Sequence, residues 1–169
     1  MDYPVDIIEE LKNSNDTLPI FSLNGLITYG KIVDVYDGDT CTINILIPNT
    51  IETSILGIKK TIKKYTIQKY KCRMFGYDCA EMKPLKTDPN RDIIKDKAIK
   101  ARLFFCELVG FYEKHTNLIV VQCLEFDKYG RLLVNLFDKS NNKINDIMIQ
   151  KNHGYLYTGG KKDVDKIIY

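Results

Sequence analysis

The dipeptide Asp37-Gly38 stands between two runs rich in β-branched residues, 26–36 and 39–47, and reads as the turn of a β-hairpin. That fixes the start of the fold as antiparallel β-structure. Pro48-Asn49-Thr50 interrupts the second run, and the segment through Gly57 fits neither strand nor helix clearly. Residues 62–75 resume as a long strand ending at Gly76. Residues 88–109 read as a helix, with Asp88 able to cap it, Pro89 suited to its first turn and Gly110 to its end. Within it Ile94, Ala98, Ala101, Phe105 and Leu108 recur at spacings of four and three and form one apolar face. Residues 117–124 and 131–137 read as two more strands joined by Asp127-Lys128-Tyr129-Gly130, and 144–153 as a helix stopped by Gly154. A short amphipathic helix over 4–12 precedes the rest. The order is three strands, helix, two strands, helix. It predicts an α+β, mainly β domain: a five-stranded antiparallel Greek-key barrel of the OB type with about three attached helices.

The bulk numbers fit such a domain. A chain of 169 residues with 44% apolar and 28% charged residues can build one core of its own. No run approaches a membrane span, so no membrane partner is expected. The start, Met1-Asp2-Tyr3-Pro4-Val5-Asp6, is acidic where a signal peptide is basic, and no long apolar stretch follows, which reads as an intracellular, cytoplasmic protein. Nothing demands more than a monomer. The five cysteines, Cys41, Cys72, Cys79, Cys106 and Cys123, form no C-x-x-C pair. All but Cys79 fall in apolar or strand-like stretches, where free cysteine behaves as a small hydrophobe. A reducing compartment suits them and a zinc site does not.

Three patches carry the chemistry. They are Asp37-Gly38-Asp39-Thr40, then Arg73 followed by Asp78 and Glu81, then Asp127-Lys128-Tyr129-Gly130-Arg131. Asp39, Asp78 and Glu81 supply carboxylates, and Arg73 and Arg131 supply guanidiniums. The chain has only four arginines, and two stand in these patches. Arginine grips phosphate oxygens in a planar fork that lysine cannot reproduce. If the barrel brings Asp39 and Asp78 together they can share one cation, and oxygen ligands without nearby His or paired Cys select Ca²⁺ or Mg²⁺ over zinc. Glu81 is then the candidate general base for a metal-oriented water. Each patch alone has a plain structural reading, as a turn, a hairpin loop or ordinary loop acids. Arg73 resists one, because it lies inside a strand between Cys72 and Met74, where an unpaired charge is costly.

The three patches, as Val35-Tyr36-Asp37-Gly38-Asp39-Thr40, Cys72-Arg73-Met74-Phe75-Gly76-Tyr77-Asp78-Cys79-Ala80-Glu81 and Phe126-Asp127-Lys128-Tyr129-Gly130-Arg131, resemble the staphylococcal nuclease (thermonuclease) family. The similarity covers about residues 26–157, leaving 1–25 as a helix and lead-in and 158–169 as an irregular tail. The resemblance implies an OB barrel with attached helices and one calcium ion. Asp39 and Asp78 would be its carboxylate ligands and the backbone carbonyl of Cys79 a further one. Glu81 matches the general base, Arg73 and Arg131 the phosphate-binding arginines, and Lys128 and Tyr129 positions that touch the nucleotide's terminal phosphate. The implied activity is a calcium-dependent, sugar-nonspecific endonuclease. Its substrates would be single-stranded DNA and RNA, cut at the bond to the 5′ oxygen to leave 3′-phosphates. A module of the same fold that binds nucleic acid with weak or no catalysis is the alternative, and a regulatory domain for an acidic protein or peptide a third.

Departures from the family pattern fall at Asp78-Cys79-Ala80-Glu81, where Asp-Thr-Pro-Glu is usual. Loss of the threonine hydroxyl and of the proline points to a looser turn and lower activity, and Cys79 to sensitivity toward oxidation and thiol-reactive metals. Residues 48–70 form a longer connection than is usual in the family, with Lys59, Lys60, Lys63, Lys64 and Lys69 beside Tyr65 and Tyr70. This segment is expected to extend the nucleic-acid surface. His115 and His153 read as surface or capping residues, Gly159-Gly160-Lys161-Lys162 as a flexible end, and Tyr155 and Tyr157 as packing against the barrel.

Overall fold

The turn at Asp37-Gly38 forms where the sequence places it. The protein is described by a computed structural model covering residues 5–14, 17, 20–55, 58–113 and 117–160; for residues 5–7, 10, 50–55 and 58–63 it describes the backbone alone. Strand β1 (Ile27–Val35) leads into β2 (Thr40–Ile55), and β3 (Ile58–Met74) returns along it. β2 does not stop at Pro48. It pairs with β3 in unbroken register from Thr40–Arg73 to Ile55–Ile58, so residues 48–55 belong to one long hairpin. Proline is tolerated there because β1 pairs with β2 only as far as Ile45, which leaves the outer part of β2 an edge strand.

Short β4 (Tyr77–Asp78), helix α2 (Arg91–Leu108), β5 (Leu118–Phe126), β6 (Leu132–Phe137), helix α3 (Ile144–Gln150) and β7 (Tyr155–Leu156) complete the main body, with α1 (Val5–Lys12) ahead of β1. Five strands close a barrel in the order β1-β2-β3-β6-β5, and β4 pairs with β7 beside it. The barrel is mixed where the sequence suggested five antiparallel strands, because β3 and β6 run parallel. An odd ring cannot alternate direction all the way round, so one pair had to be parallel. The result is a closed, mainly β domain consistent with an OB-like barrel.

Inside lie Ile32, Ile43, Ile45, Cys72, Met74, Val121, Leu132, Val134 and Leu136, all buried. The predicted stripe of α2 seals one side of this core through Ala101 and Phe105, while Ile94 and Ala98 cover Ala80. From α3, Ile144 and Met148 join the core. None of the described residues of α1 does, so two helices pack on the barrel where about three were expected. Among the described residues no helix is long and apolar enough to cross a membrane.

Two helix boundaries differ from the sequence reading. Asp88 does not cap α2: its carboxylate takes the Asn90 N–H (2.8 Å) and forms a turn that delays the helix to Arg91. Gly154 does not stop α3, which ends at Gln150 with Asn152 taking the left-handed conformation (φ 57°). Gly154 is needed for clearance instead, since a Cβ there would lie 2.6 Å from the Tyr77 ring. Gly110 does close α2, at φ 61°.

Gly38 is a clearance glycine too. A Cβ on it would meet Cys79 Sγ at 2.8 Å and Ala101 Cβ at 2.9 Å, so α2 and the residues after β4 press directly on the turn that presents Asp39. Gly38→Ala is therefore expected to destabilise the domain by about 1–3 kcal/mol. Urea denaturation measures it, and an unchanged midpoint would contradict this packing.

Candidate functional site

The pleat of β3 decides which side chains reach the surface. Cys72 and Met74 turn into the barrel, so Arg73 between them turns out, onto the face where the β1–β2 turn and the β5–β6 loop meet. A cleft of about 740 Å³ opens there. Asp39, Arg73, Cys79, Glu81, Lys128, Tyr129 and Arg131 all line it, together with Tyr36, Asp37, Thr40, Asp127 and Tyr157. Asp78 lies behind it, fully buried. All eight residues singled out in the sequence thus come together in one place.

At the floor of the cleft Arg73 bridges two carboxylates. Its Nη1 donates to Asp39 Oδ1 (2.8 Å) and its Nη2 donates to Asp78 Oδ1. Thr40 Oγ1 donates to Asp39 Oδ1 (2.8 Å), the Cys79 N–H donates to Asp39 Oδ2 (3.1 Å), and the Tyr155 hydroxyl donates to Asp78 Oδ2 (2.8 Å). Backbone bonds hold the turn: Asp39 N–H donates to Asp37 Oδ1 (3.1 Å) and Met74 N–H to Asp39 O (2.8 Å). The Tyr157 ring lies against the same guanidinium, 5.9 Å from centroid to Cζ.

The electrostatics are lopsided. Burial first, then the neighbouring Asp37, push the Asp39 carboxyl up to about 8, against the pull of Arg73. Burial also raises Asp37. Arg73 is held above its ordinary value: burial opposes the charge, but Asp39 and Asp78 outweigh it. Two buried carboxyls thus share one guanidinium, with a third, Asp37, beside Asp39.

Across the cleft the β5–β6 loop is a tight Asx turn. Asp127 Oδ1 accepts the N–H groups of Tyr129 and Arg131 (both 2.9 Å), and Gly130 adopts φ 77°. Arg131 Nε and Nη2 both donate to Asp127 Oδ2 (2.8 and 2.7 Å). Burial alone would raise the Asp127 carboxyl, but the Arg131 and Tyr129 bonds hold it below the usual range. Tyr129 packs under both Lys128 and Arg131, 5.1 and 5.4 Å from its centroid, and is itself largely exposed at the rim.

Several sequence expectations change here. Cys79 is not a reactive thiol: it is buried, burial pushes it well above the ordinary value, and its Sγ donates to His153 O (3.1 Å). Ala80 packs against Ile94 and Ala98. Tyr155 does pack, against that cluster, but also bonds Asp78. Tyr157 lines the cleft rather than the core, and Gly159 and Gly160 line it as well. His153 stacks on Phe104 (4.4 Å between centroids) and burial lowers its pKa. His115, Lys161, Lys162 and the side chains of Lys59, Lys60 and Lys63 lie outside the described residues. Sequence reasoning missed Asp37 as a member of the charge cluster, although it stands two residues from Asp39.

Among the described residues no group of three or more His, Cys, Asp and Glu side chains is arranged to hold a metal ion. Arg73 stands between the carboxylates that would be the ligands. The donor chemistry nonetheless fits a hard cation: the oxygens belong to the buried carboxyls of Asp39 and Asp78. No protein-family model matches this sequence, and no curated protein matches it either.

The raised Asp39 has a consequence for stability. Folded, it keeps its proton up to about pH 8, whereas in the unfolded chain it loses it near the ordinary carboxylate value of about 4. Between those limits the folded form binds the extra proton, so stability is greatest near the lower limit and is lost as pH rises through 8. In EDTA the melting temperature should fall between about pH 5 and pH 8.5. Asp39→Asn should flatten that fall. A melting temperature that rises over this range would contradict the charge balance described.

Proposed function

We propose that this chain is a calcium-dependent, sugar-nonspecific endonuclease of the staphylococcal nuclease type, built on an OB-type Greek-key barrel. One observation carries the reading: three separated stretches of sequence deliver Asp39, Glu81, Arg73 and Arg131 to the walls of one cleft with an acidic floor. Asp39 and Asp78, with the Cys79 carbonyl, would hold the ion. The chemistry it supplies when bound is neutralisation of a phosphate oxygen and orientation of a water molecule.

The remaining work falls to side chains. Glu81 lines the cleft and takes a proton from the attacking water. The water oxygen bonds to phosphorus, the bond from phosphorus to the 5′ oxygen breaks, and the departing oxygen takes up a proton. A 3′-phosphate and a 5′-hydroxyl result. Arg131 and Arg73 bind the phosphate and stabilise the extra negative charge of the five-coordinate transition state. Arg131 is already oriented by Asp127 and Tyr129, so little conformational freedom is lost when it grips an anion. Lys128 and Tyr129 at the rim suit a terminal phosphate. Single-stranded DNA and RNA both fit a site that reads the backbone.

A binding module without strong catalysis is the second reading, and one observation favours it: both carboxylates are engaged by Arg73, which must share them to act on phosphate. Digestion of single-stranded DNA and RNA with Ca²⁺, Mg²⁺ or EDTA separates the two. Calcium-dependent cutting that leaves 3′-phosphates is expected, with Glu81→Gln abolishing it and Arg131→Ala costing about 10²–10³ in rate. Binding without cutting under every metal would leave the module.

A further inference from the structure

We propose that the outer face of β1, β2 and β3, leading away from the cleft, is a platform that holds the continuation of a bound single-stranded nucleic acid, an inference that rests on the nuclease reading above. Along β3, Lys71 and Lys69 follow Arg73 on the same face at steps of two residues, about 6.6 Å apart, and both are exposed. Directly opposite residues in a ladder share a face. Lys69 is opposite Asn44, which is opposite Lys31 on β1, so a third exposed cation joins the first two. Asp34, opposite Thr42 and hence in the row of Lys71, is the acidic neighbour.

Beyond the lysines the same face becomes apolar and aromatic. Tyr65 is 57% exposed and Ile67 69% on β3, and Tyr29 is 64% exposed on β1. Large side chains left this open on one face of the sheet mark a contact site. Cations followed by flat rings suit a polymer with phosphates on one side and bases on the other, since stacking accepts any base and lysine any phosphate. A second copy of this chain would set lysines against lysines. An acidic strand continuing out of the cleft has no such conflict.

Binding is measured by anisotropy on labelled oligothymidylates of about three and about twelve nucleotides, in calcium over a series of salt concentrations. The Glu81→Gln protein serves as parent so that the strands survive. The parent should bind the longer strand more tightly. Lys69→Ser with Lys71→Ser should lower the slope of log K against log salt by about 1.4. Tyr29→Ala with Tyr65→Ala should weaken the longer strand about ten-fold and leave that slope unchanged. Lys95→Ser with Lys139→Ser removes the same charge from exposed positions away from this face, and should keep the parent slope.

Wild-type cutting together with parent-like binding by both platform variants overturns the platform alone. So does an equal fall in slope for the Lys95 and Lys139 control. Self-association in sedimentation that Tyr29→Ala with Tyr65→Ala abolishes also overturns it, making the face an interface between copies. Wild-type protein that neither binds nor cuts even the short strand overturns the nuclease reading and the platform with it.

Discussion

Arg73 and the two carboxylates it bridges join the β2–β3 ladder to β4, a strand outside that ladder. Asp39 comes from the β1–β2 turn, Arg73 from β3 and Asp78 from β4. Both carboxylates are buried, and a buried charge is tolerable only with a partner and further hydrogen bonds. Arg73, Thr40, Tyr155 and the Cys79 N–H provide them, so the local positions of β2, β4 and β7 follow from one electrostatic requirement. Such a cluster is weak support for global stability, because packed apolar residues would serve as well or better. Its value lies in fixing where the charges stand before any ligand arrives.

That explains why the cleft was legible from the sequence while its wiring was not. Arginine is rare in this chain, with two of its four copies in these patches, and Arg73 between Cys72 and Met74 demanded an anion. Its actual partners are Asp39, 34 residues away, and Asp78, five away. Which anion answers a buried arginine depends on tertiary approach, and sequence spacing does not carry it. The apolar stripe of α2 was legible for the opposite reason, since helical periodicity is local. Asp88 looked like its cap, yet a side-chain bond to Asn90 competes with capping and wins.

The glycines divide along the same line. Gly110 and Gly130 could be read from their places at a helix end and in a tight loop, and both take positive φ. Gly38 and Gly154 suggested a turn and a helix stop, but neither takes positive φ. Each stands where another element passes too close for a Cβ: α2 and Cys79 over Gly38, Tyr77 over Gly154. Local chemistry announces a required dihedral; nothing local announces a neighbour's proximity. Cys79 belongs to this set, since the packing that excludes a Cβ at Gly38 also shuts the thiol away from solvent.

Strand parity links the cleft to the surface beyond it. The β2–β3 register runs from Thr40–Arg73 to Ile55–Ile58 without a bulge, whereas β1 carries one between Ile32 and Asp34. Along an unbroken strand, whatever fixes one residue's side fixes the side of every second residue after it. Cys72 and Met74 in the core therefore decide that Arg73, Lys71, Lys69, Ile67 and Tyr65 all face out together. A slip of one residue would bury Arg73 among Val134 and Leu132 and place Cys72 in the cleft. The apolar core thus does more than stabilise the barrel: by pinning parity at one end of a long hairpin, it aligns the cationic and aromatic residues along it.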